Sequence, residues 1–475
     1  MQSKPSEPAR PVYVISAGSV AGGREKRGPL GDLFDFSGDD RFGKDTWEKA
    51  EAEMQRLAMG IALRKAELVD TEIDLVFAGD LVNQCLSSAF GLADYRIPFL
   101  GLFGACSTCA EGLLLGALAA GSWVRRAAAV TSSHFCTAER QFRMPVEYGG
   151  QRPPTAQWTA TGAGAFLLSS GARDALRCDG AFVPRITEVL PGAMVDRGIT
   201  DVSNMGAAMA PAAADTISRY AAAGGSLTDA AVVTGDLGAE GSGILIDLLR
   251  AEGIDIGERH LDCGLMLFDP ETEDVHAGAS GCGCSALVMA ASVLKDMREG
   301  NMGDVIFVGT GALTNAMASC QGQSIPGVAH LVRISPVPKS QIRETEGGVY
   351  DGNVSCHDPG FSRGGLSLRS GPGSHRPHPS DARPHPDGIC GRGGDPRSAG
   401  RLRTRRGFRG SGGVRSPDRL RVPHQPGRAG GGGGEGTAGR FDGPSDGGVR
   451  RDRCRAGGGT AGGPVLRQPR EGLVG

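Results

Sequence analysis

The sequence predicts an α/β fold made of two similar halves. Short apolar runs alternate with longer stretches in which apolar residues recur at helical spacing, which is the pattern of alternating strands and helices. Three segments of the first half also recur, in the same order, later in the chain, which indicates a duplicated βαβ-rich unit. We therefore expect one half at residues 1–180, a second at 181–335, and a compositionally distinct tail at 336–475.

The predicted strands are short apolar runs bounded by polar residues or glycine. A run that is apolar at nearly every position is typical of a strand buried on both faces of a sheet. The runs are PVYVISAG at 11–18, DLVFAGD at 74–80, AAAVTSS at 127–133, GAFLLSS at 164–170, AAVVTGD at 230–236, DCGLMLF at 262–268 and DVIFVGTG at 304–311.

The predicted helices include TWEKAEAEMQRLAMGIALRKAEL at 46–68 and GSGILIDLLRAEGI at 241–254. The first carries apolar residues at helical spacing and is preceded by Asp45 and Thr46, which are candidate N-cap residues. A third segment, MGAAMAPAAAD at 205–215, combines small residues with methionine and predicts a helix that approaches its neighbour closely.

The duplication is visible in three pairs of segments. IDLVFAGDLVNQ at 73–84 is echoed by AAVVTGDLGAEG at 230–241, GACSTCAEGLLLGAL at 104–118 by SGCGCSALVMAASVL at 280–294, and RRAAAVTSSH at 125–134 by GDVIFVGTGAL at 303–313. Because two such units commonly place a ligand site between them, we expect the functional site at their junction.

The composition changes sharply near Ser335. From His357 onward the chain has no lysine, asparagine, methionine or tyrosine and one isoleucine, Ile389, among long glycine, arginine and proline blocks. Such a segment cannot bury enough apolar surface to offset its chain entropy, and an arginine-rich tail that touches anionic partners is one interpretation. GC-rich DNA translated out of frame explains the same bias, and we favour that interpretation.

Global composition excludes several classes of function. The formal net charge of −2 gives no overall electrostatic case for binding nucleic acid or an anionic membrane. The N-terminal residues do not have the pattern of a signal peptide, and no uninterrupted apolar run is long enough to span a membrane, so we expect neither. Twelve cysteines, mostly inside apolar runs, indicate buried, reduced thiols.

Several motifs resemble the stage V sporulation protein AD (SpoVAD) family, a branch of the thiolase and β-ketoacyl synthase superfamily. The resemblance covers essentially residues 12–334. The motifs are SAGSVAGGREKRGPLGDLFD at 16–35, FAGDLVNQ at 77–84, LFGACST at 102–108, TSSHFCTAERQFRMPVEYGGQRPPTAQWTATGAGAFLLS at 131–169, GITDVSNMGAAMAPAAADTI at 198–217 and SGCGCSA at 280–286.

The resemblance implies a thiolase-like fold with αβαβα layers. Because the catalytic set of a condensing enzyme is incomplete in this sequence, we expect a protein that is not an enzyme. The resemblance also implies binding of dipicolinic acid and a peripheral place at the spore inner membrane, in the SpoVA complex that serves dipicolinate uptake into the developing spore and its release in germination. The implied partners are dipicolinate and the other SpoVA membrane subunits, with no nucleic acid and no cofactor. Whether calcium accompanies the ligand, and whether the chain forms a homodimer, stays open.

Cys106 is the candidate nucleophile of the alternative function, a condensing-type acyltransferase. It lies between a predicted strand and an apolar helix, where exposed helical N–H groups would lower the pKa of its thiol. By resemblance, a condensing enzyme also needs donors on second-half loops, usually His and Asn or two His, but Gly235 stands at the position of the ketosynthase His. The Asn loop reads AGASGCG, the second thiolase cysteine falls near Phe307 and Val308, and His276 lies one residue too close to the following glycine. We therefore interpret Cys106 as a packing residue.

The richest polar stretch of the two halves is SHFCTAERQFRMPVEYGG at 133–150. It is either a solvated loop with local ion pairs or the cap of a pocket, where arginine forks onto a carboxylate and tyrosine faces a flat ring. With Cys106, the candidate ligand-binding residues are His134, Glu139, Arg140, Arg143 and Tyr148.

Two other features are assigned structural roles. Asp80 and Asp236 occupy equivalent positions of the repeat, and we expect them to brace strand ends because a carboxylate would repel an anionic ligand. The C-x-C spacing of Cys282 and Cys284 differs from that of a zinc site, so we expect no metal.

Overall fold

The protein is described by a computed structural model that covers residues 4–142, 152–269 and 271–343. Arg143, Tyr148 and the tail from residue 344 onward lie outside the described residues. The strands are β1 (Val12–Ala21), β2 (Phe36–Ser37), β3 (Leu75–Gly79), β4 (Phe99–Leu102), β5 (Arg126–Ser133), β6 (Trp158–Thr159), β7 (Gly162–Ser169), β8 (Phe182–Leu190), β9 (Ala230–Thr234), β10 (His260–Asp262), β11 (Ala279–Ser280), β12 (Asp304–Ala312) and β13 (Gly327–Pro338).

The helices connect these strands. They are α1 (Trp47–Lys65), α2 (Leu86–Leu92), α3 (Thr108–Ser122), α4 (Phe135–Phe142), α5 (Ala172–Leu176), α6 (Met205–Ala222), α7 (Gly238–Ala251), α8 (Cys263–Leu267), α9 (Cys282–Val288), α10 (Leu294–Glu299) and α11 (Ala316–Cys320). A π-helical turn at Met289–Val293 joins α9 to α10. Thr46 caps α1 by accepting a hydrogen bond from the backbone N–H of Lys49, so this predicted N-cap is confirmed.

The strand order repeats between the two halves. The main path runs β10-β9-β12-β13-β8-β1-β7-β5-β3-β4, and it reads as one five-strand pattern followed by its mirror image. In each half three parallel strands are followed by two antiparallel ones. The halves join where Val12 and Tyr13 of β1 pair with Ile186 and Arg185 of β8.

Helices separate and flank the two half-sheets. Helix α3 packs against β3 and β5 on one side and against β12 and β13 on the other, beside α9, so these two helices form a central layer. Helix α1 covers the outer face of the first half-sheet, and α6 and α7 cover the second. Separate apolar clusters fill the central layer and each outer interface. The predicted αβαβα layering is therefore confirmed.

The central helix is unusually apolar for a globular protein. Residues Ala105–Ser122 have the length and hydropathy of a membrane span, yet 72 % of this stretch is buried inside the protein. A helix that is apolar all round and covered on all sides is a core helix. The sequence pattern of α3 therefore reflects its place between two half-sheets.

Two predictions about local structure are corrected. The run DCGLMLF is not a strand, because the Asp262 side chain accepts a hydrogen bond from the N–H of Gly264 and starts helix α8 there. Residues 336–338, which the sequence analysis placed in the tail, are the end of β13, since Pro336, Val337 and Pro338 pair with Pro184, Val183 and Phe182 of β8. The strands β8 and β13 were not predicted because charged residues and prolines interrupt their apolar pattern.

Candidate functional site

A pocket opens where the carboxyl ends of central strands from both halves meet, which is the usual position of a ligand site in an α/β fold. It encloses about 440 Å³, part of which is open to solvent. Six lining residues come from the first half and four from the second. They are Leu81, Ala105, Cys106, Ala138, Phe142, Thr159, Val202, Met205, Ser280 and Thr314.

Cys106 is held at this pocket by a tight turn. Ala105 has a φ of +53°, a left-handed conformation that is costly for a residue with a side chain, and the following 3₁₀ turn leads directly into α3. The Ser107 hydroxyl donates to the Gly104 carbonyl at 2.7 Å and the Thr108 hydroxyl donates to the Ala105 carbonyl at 2.7 Å. These bonds fix Cys106, which is 5 % exposed.

The expected lowering of the Cys106 pKa is wrong. Burial raises the pKa of this thiol well above its ordinary value, and the carboxylate of Asp236 raises it further. A negative thiolate next to a buried carboxylate is unfavourable, and this effect exceeds that of the helix N-terminus. Cys106 is therefore a neutral thiol in this arrangement.

Asp236 is buried behind the pocket and accepts several hydrogen bonds. Its Oδ1 accepts a hydrogen bond from Thr310 Oγ1 at 2.8 Å, and its Oδ2 accepts from Gly281 N at 2.8 Å and Ser280 Oγ at 3.1 Å. Burial raises the pKa of this carboxyl to about 6, and hydrogen bonds from the Cys106 thiol, the Gly281 N–H and the Thr310 hydroxyl limit the rise. Asp236 braces strand ends as the sequence predicts, but it also contacts the pocket-lining Ser280, which the sequence did not indicate.

The repeat explains why Ser280 faces Cys106. In the echoed segments Gly104 corresponds to Ser280, Ala105 to Gly281 and Cys106 to Cys282. The turn is equivalent in both halves, because Gly281 also has a positive φ, +99°. Cys106 Sγ lies 3.9 Å from Ser280 Oγ. The internal repeat was therefore the feature of the sequence from which Ser280 could have been identified as a site residue.

His134 lies away from the pocket lining. It is fully buried, its Nε2 hydrogen-bonds the carbonyl of Asp40 at 2.8 Å, and its Nδ1 accepts from the N–H of Cys136 at 3.1 Å. Burial lowers the pKa of His134, so the ring is neutral with its proton on Nε2. The structure gives His134 the role of joining the 22–46 loop to the start of α4.

The side chains of Glu139 and Arg140, both on α4, contact different parts of the protein. Thr159, which lines the pocket, donates to Glu139 Oε1 at 3.4 Å. Arg140 is exposed and forms an ion pair with Glu48 on α1. The structure therefore brings Glu139 next to Cys106's pocket and turns Arg140 toward α1.

Asp80 is buried and directly precedes Leu81, which lines the pocket. It accepts hydrogen bonds from Val82 N and from both the N–H and the hydroxyl of Ser88, and so braces the loop after β3. Glu51 of α1 is its buried neighbour and accepts from Ser132 Oγ at 2.9 Å and Thr137 Oγ1 at 2.8 Å. Burial and the nearby Asp80 carboxylate raise the pKa of Glu51 to about 8.

The structure describes the second-half positions that the sequence analysis compared with the donors of a condensing enzyme. A Cβ at Gly235 would come within 2.9 Å of the Thr310 backbone nitrogen, so a histidine does not fit there without rearrangement. Phe307 and Val308 are buried in β12. His276 Nε2 lies 3.2 Å from Asp274 Oδ1, and His276 is outside the pocket lining.

Most of the pocket wall was not predicted. Leu81, Ala138, Val202 and Met205 carry no chemical signal in the sequence, and Met205 was interpreted only as helix packing. That packing is also present, since a Cβ at Gly206 would meet Gly241 of α7 at 2.8 Å. Among the described residues no cluster of three or more His, Cys, Asp or Glu side chains is placed to hold a metal ion.

The chain matches a known family over most of its described length. Residues 5–335 match the family described as Stage V sporulation protein AD (SpoVAD). A curated relative, Stage V sporulation protein AD of Bacillus subtilis (strain 168), is 44 % identical over 324 residues, which are 67 % of this chain and 93 % of the relative.

Solved structures similar to this chain include condensing enzymes and a thiolase. OleA of Xanthomonas campestris with bound cerulenin is 11 % identical, with a TM-score of 0.45, and the match covers 70 % of this chain and 99 % of that one. Human mitochondrial 3-ketoacyl-CoA thiolase in complex with CoA is 12 % identical, with a TM-score of 0.44, and the match covers 70 % and 100 %.

Proposed function

Because the chain belongs to the stage V sporulation protein AD family, we propose that it binds dipicolinate as a non-catalytic subunit of the spore SpoVA system. In this proposal the Cys106 pocket receives the ligand, and the protein serves dipicolinate uptake during sporulation and release in germination. The observation that carries the proposal is a pocket between the halves of a sporulation-family protein, with a buried thiol that is not activated.

The chemistry of the pocket suits a small flat acid. Ligand pockets are mostly apolar with a few placed polar groups, and this lining has the same character. The apolar walls around Leu81 and Met205 can cover the faces of a pyridine ring. Thr314 Oγ1 is buried without a partner among the described residues, so its hydroxyl can donate to a carboxylate. The hydroxyl protons of Thr159 and Ser280 are donated to Glu139 and Asp236 and would have to leave them to reach a ligand.

Further ligand contacts, cationic and aromatic, are proposed from the sequence. Arg143 and Tyr148 follow α4, whose residues Ala138 and Phe142 line the pocket, and we keep both as proposed ligand contacts. Arg140 would have to leave Glu48 to reach a ligand. Cys106 contributes a neutral thiol surface to the floor of the pocket.

A calorimetric titration of the full chain with dipicolinate tests the proposal. Pyridine-2-carboxylate and benzene-1,3-dicarboxylate are matched controls, because the first lacks one carboxylate and the second lacks the ring nitrogen. We expect saturable one-to-one binding of dipicolinate and much weaker binding of both controls. Equal binding heats from all three acids, or no binding heat from any of them, would contradict the proposed ligand.

The alternative is an acyltransferase that uses Cys106 as nucleophile. The observation in its favour is the position of Cys106 on a positive-φ turn at the floor of a pocket. Incubation with acyl-CoA followed by intact-mass measurement separates the two functions, with Cys106→Ser as the control. We expect no thioester on the wild-type chain, and a stoichiometric adduct that the Ser variant lacks would favour the enzyme.

We further propose that the protein acts peripherally at the spore inner membrane with the other SpoVA subunits. Flotation with vesicles that contain those subunits, compared with vesicles of the same lipids alone, tests this: binding that needs the subunits supports the proposal. A homodimer is a further proposal, supported by the exposed Phe99 and Leu100 of the edge strand β4. Light scattering of the purified chain measures its mass in solution.

A further inference from the structure

The Cys106 pocket has a buried carboxylate directly behind its lining. Asp236 is fully buried, and its hydrogen-bond partners described above, Thr310, Ser280 and the N–H of Gly281, are all neutral. The ten side chains that line the pocket are also uncharged. An anion that enters the pocket therefore meets a negative charge that the lining does not neutralise.

In the described part of the chain, the other titratable groups around Asp236 do not neutralise it either. Asp262, the N-cap of α8, adds a second carboxyl, and its charge raises the pKa of Asp236. Cys106 on the turn before α3, Cys263 on α8 and Cys284 on α9 are thiols whose pKa values are raised by burial, so they stay neutral. Coulomb repulsion is far stronger in such a buried environment than in water.

We propose that Asp236 takes up one proton from solvent when the pocket receives a dicarboxylate, so that ligand binding is coupled to protonation of this buried carboxyl. The inference rests on the proposed function, because dipicolinate is the occupant considered. The step is a proton transfer alone: the proton from solvent ends on Asp236, and no other bond is made or broken.

The hydrogen bonds around Asp236 show what protonation would change. In the ionised state the Ser280 hydroxyl donates to Asp236 Oδ2 at 3.1 Å. A protonated Oδ2 would donate to Ser280 Oγ instead, which frees the Ser280 hydroxyl proton to bond a carboxylate in the pocket. Protonation thus removes a repulsive charge and supplies a donor at the same place.

The expected pH dependence follows from the pKa of Asp236, which burial raises to about 6. Dipicolinate keeps both carboxylates ionised above pH 6, so it contributes little to the titration there. Uptake should approach one proton per ligand at pH 7.5, where free Asp236 is ionised, and fall toward zero at pH 5. Between pH 7 and pH 8 the affinity should fall about tenfold.

Calorimetry of the full chain with dipicolinate, in two buffers of different ionisation enthalpy at pH 5, 6 and 7.5, measures the protons taken up. Asp236→Asn should bind with no proton uptake and with an affinity that no longer falls above pH 7. Glu51→Gln is the matched control, because Glu51 is also buried with a raised pKa but contacts none of the lining side chains through a described hydrogen bond, and its uptake should equal that of the wild type.

The possible results separate the inference from the proposed function. Binding by the wild type without proton uptake would overturn the inference and leave the function standing, and this result needs no variant that could fail to fold. Uptake that persists in Asp236→Asn would overturn the assignment to Asp236. Binding that requires calcium and takes up no proton would show that a cation neutralises the ligand instead. No binding at any pH would remove the proposed function itself.

Discussion

Cys106 Sγ lies 3.9 Å from Ser280 Oγ, although the two residues belong to different halves of the fold. Both line the same pocket, and both stand next to the buried carboxyl of Asp236. The pocket and the buried polar groups behind it therefore lie where the two repeats meet. The predictions below test this pocket and the fold that forms it.

Cys106→Ala should leave dipicolinate affinity within about threefold of the wild type, because a neutral thiol contributes mainly packing volume. The variant should unfold at slightly lower denaturant concentration, as the small cavity costs about 1 kcal/mol. Titration calorimetry and urea unfolding measure the two effects. A loss of affinity beyond tenfold would mean that the thiol bonds the ligand directly.

Val202→Trp should abolish most dipicolinate binding, because Val202 lines the pocket and the larger ring would occupy it. Met317→Trp is the control, since Met317 is 72 % exposed and outside the lining. We expect at least a tenfold loss of affinity for the first variant and none for the second, with both folded by circular dichroism. Unchanged binding by Val202→Trp would place the ligand elsewhere.

Arg140→Ala should change dipicolinate affinity by less than about threefold, because Arg140 is exposed and already paired with Glu48. An arginine that forks onto a ligand carboxylate would instead cost about ten- to a hundredfold, and lysine would recover less than half of that free energy. Calorimetric titration of the Ala and Lys variants with dipicolinate distinguishes these two roles of Arg140. A tenfold loss that Lys does not rescue would return Arg140 to the site.

Glu51→Gln should flatten the dependence of stability on pH. Burial raises the pKa of Glu51 to about 8, so the folded state holds a proton that the unfolded chain releases above about pH 4.5. The stability that this proton supplies is fully present below pH 4.5 and is lost as pH rises through 8.

The Gln variant should therefore be about 1–3 kcal/mol more stable than the wild type at pH 8.5 and similar to it at pH 5. Urea unfolding at both pH values measures the difference. Glu252→Gln, which changes an exposed carboxylate, is the control and should follow the wild type at both. Equal curves for all three proteins would mean that Glu51 is ionised in the folded state.

A chain that ends at Arg343 should fold like the full chain, because the composition of the later residues cannot support a core. A chain that ends at Ser335 should lose at least about 2 kcal/mol, since it lacks the end of β13 and the buried Ile342. Thermal and urea unfolding compare the two truncations. Equal stability of both would mean that the end of β13 contributes nothing, and a destabilised 343-residue chain would assign a structural role to the tail.

Much of the fold could be predicted because its strands and central helix are buried on both sides. Leu75–Gly79 and Ala230–Thr234 are apolar except for Thr234, as strands inside a layered fold tend to be, and they occupy equivalent places in the two half-sheets. The run at 262–268 was misassigned for the same reason, since a short apolar segment has no period that separates strand from helix. There the side chain of Asp262 decided the outcome by capping α8.

The site was less predictable than the fold. Cys106 and the two equivalent aspartates were identified because each occupies an equivalent place after a strand. The rest of the pocket wall consists of residues such as Leu81, Ala138 and Val202, which look like any other core residue in a sequence. Their role depends on which strand ends converge, and that is a property of the sheet order.

The sequence by itself determined the α/β class, the duplication and the family, because these follow from periodic patterns and motifs along the chain. Only the tertiary structure decided the chemical state of Cys106. Local reasoning placed its thiol at a helix N-terminus, where a lowered pKa is expected, but the fold buries it beside Asp236, which lies far along the chain. Burial and a neighbouring charge act through space, and together they outweigh a helix terminus, so the state of this thiol could not be read from its local sequence.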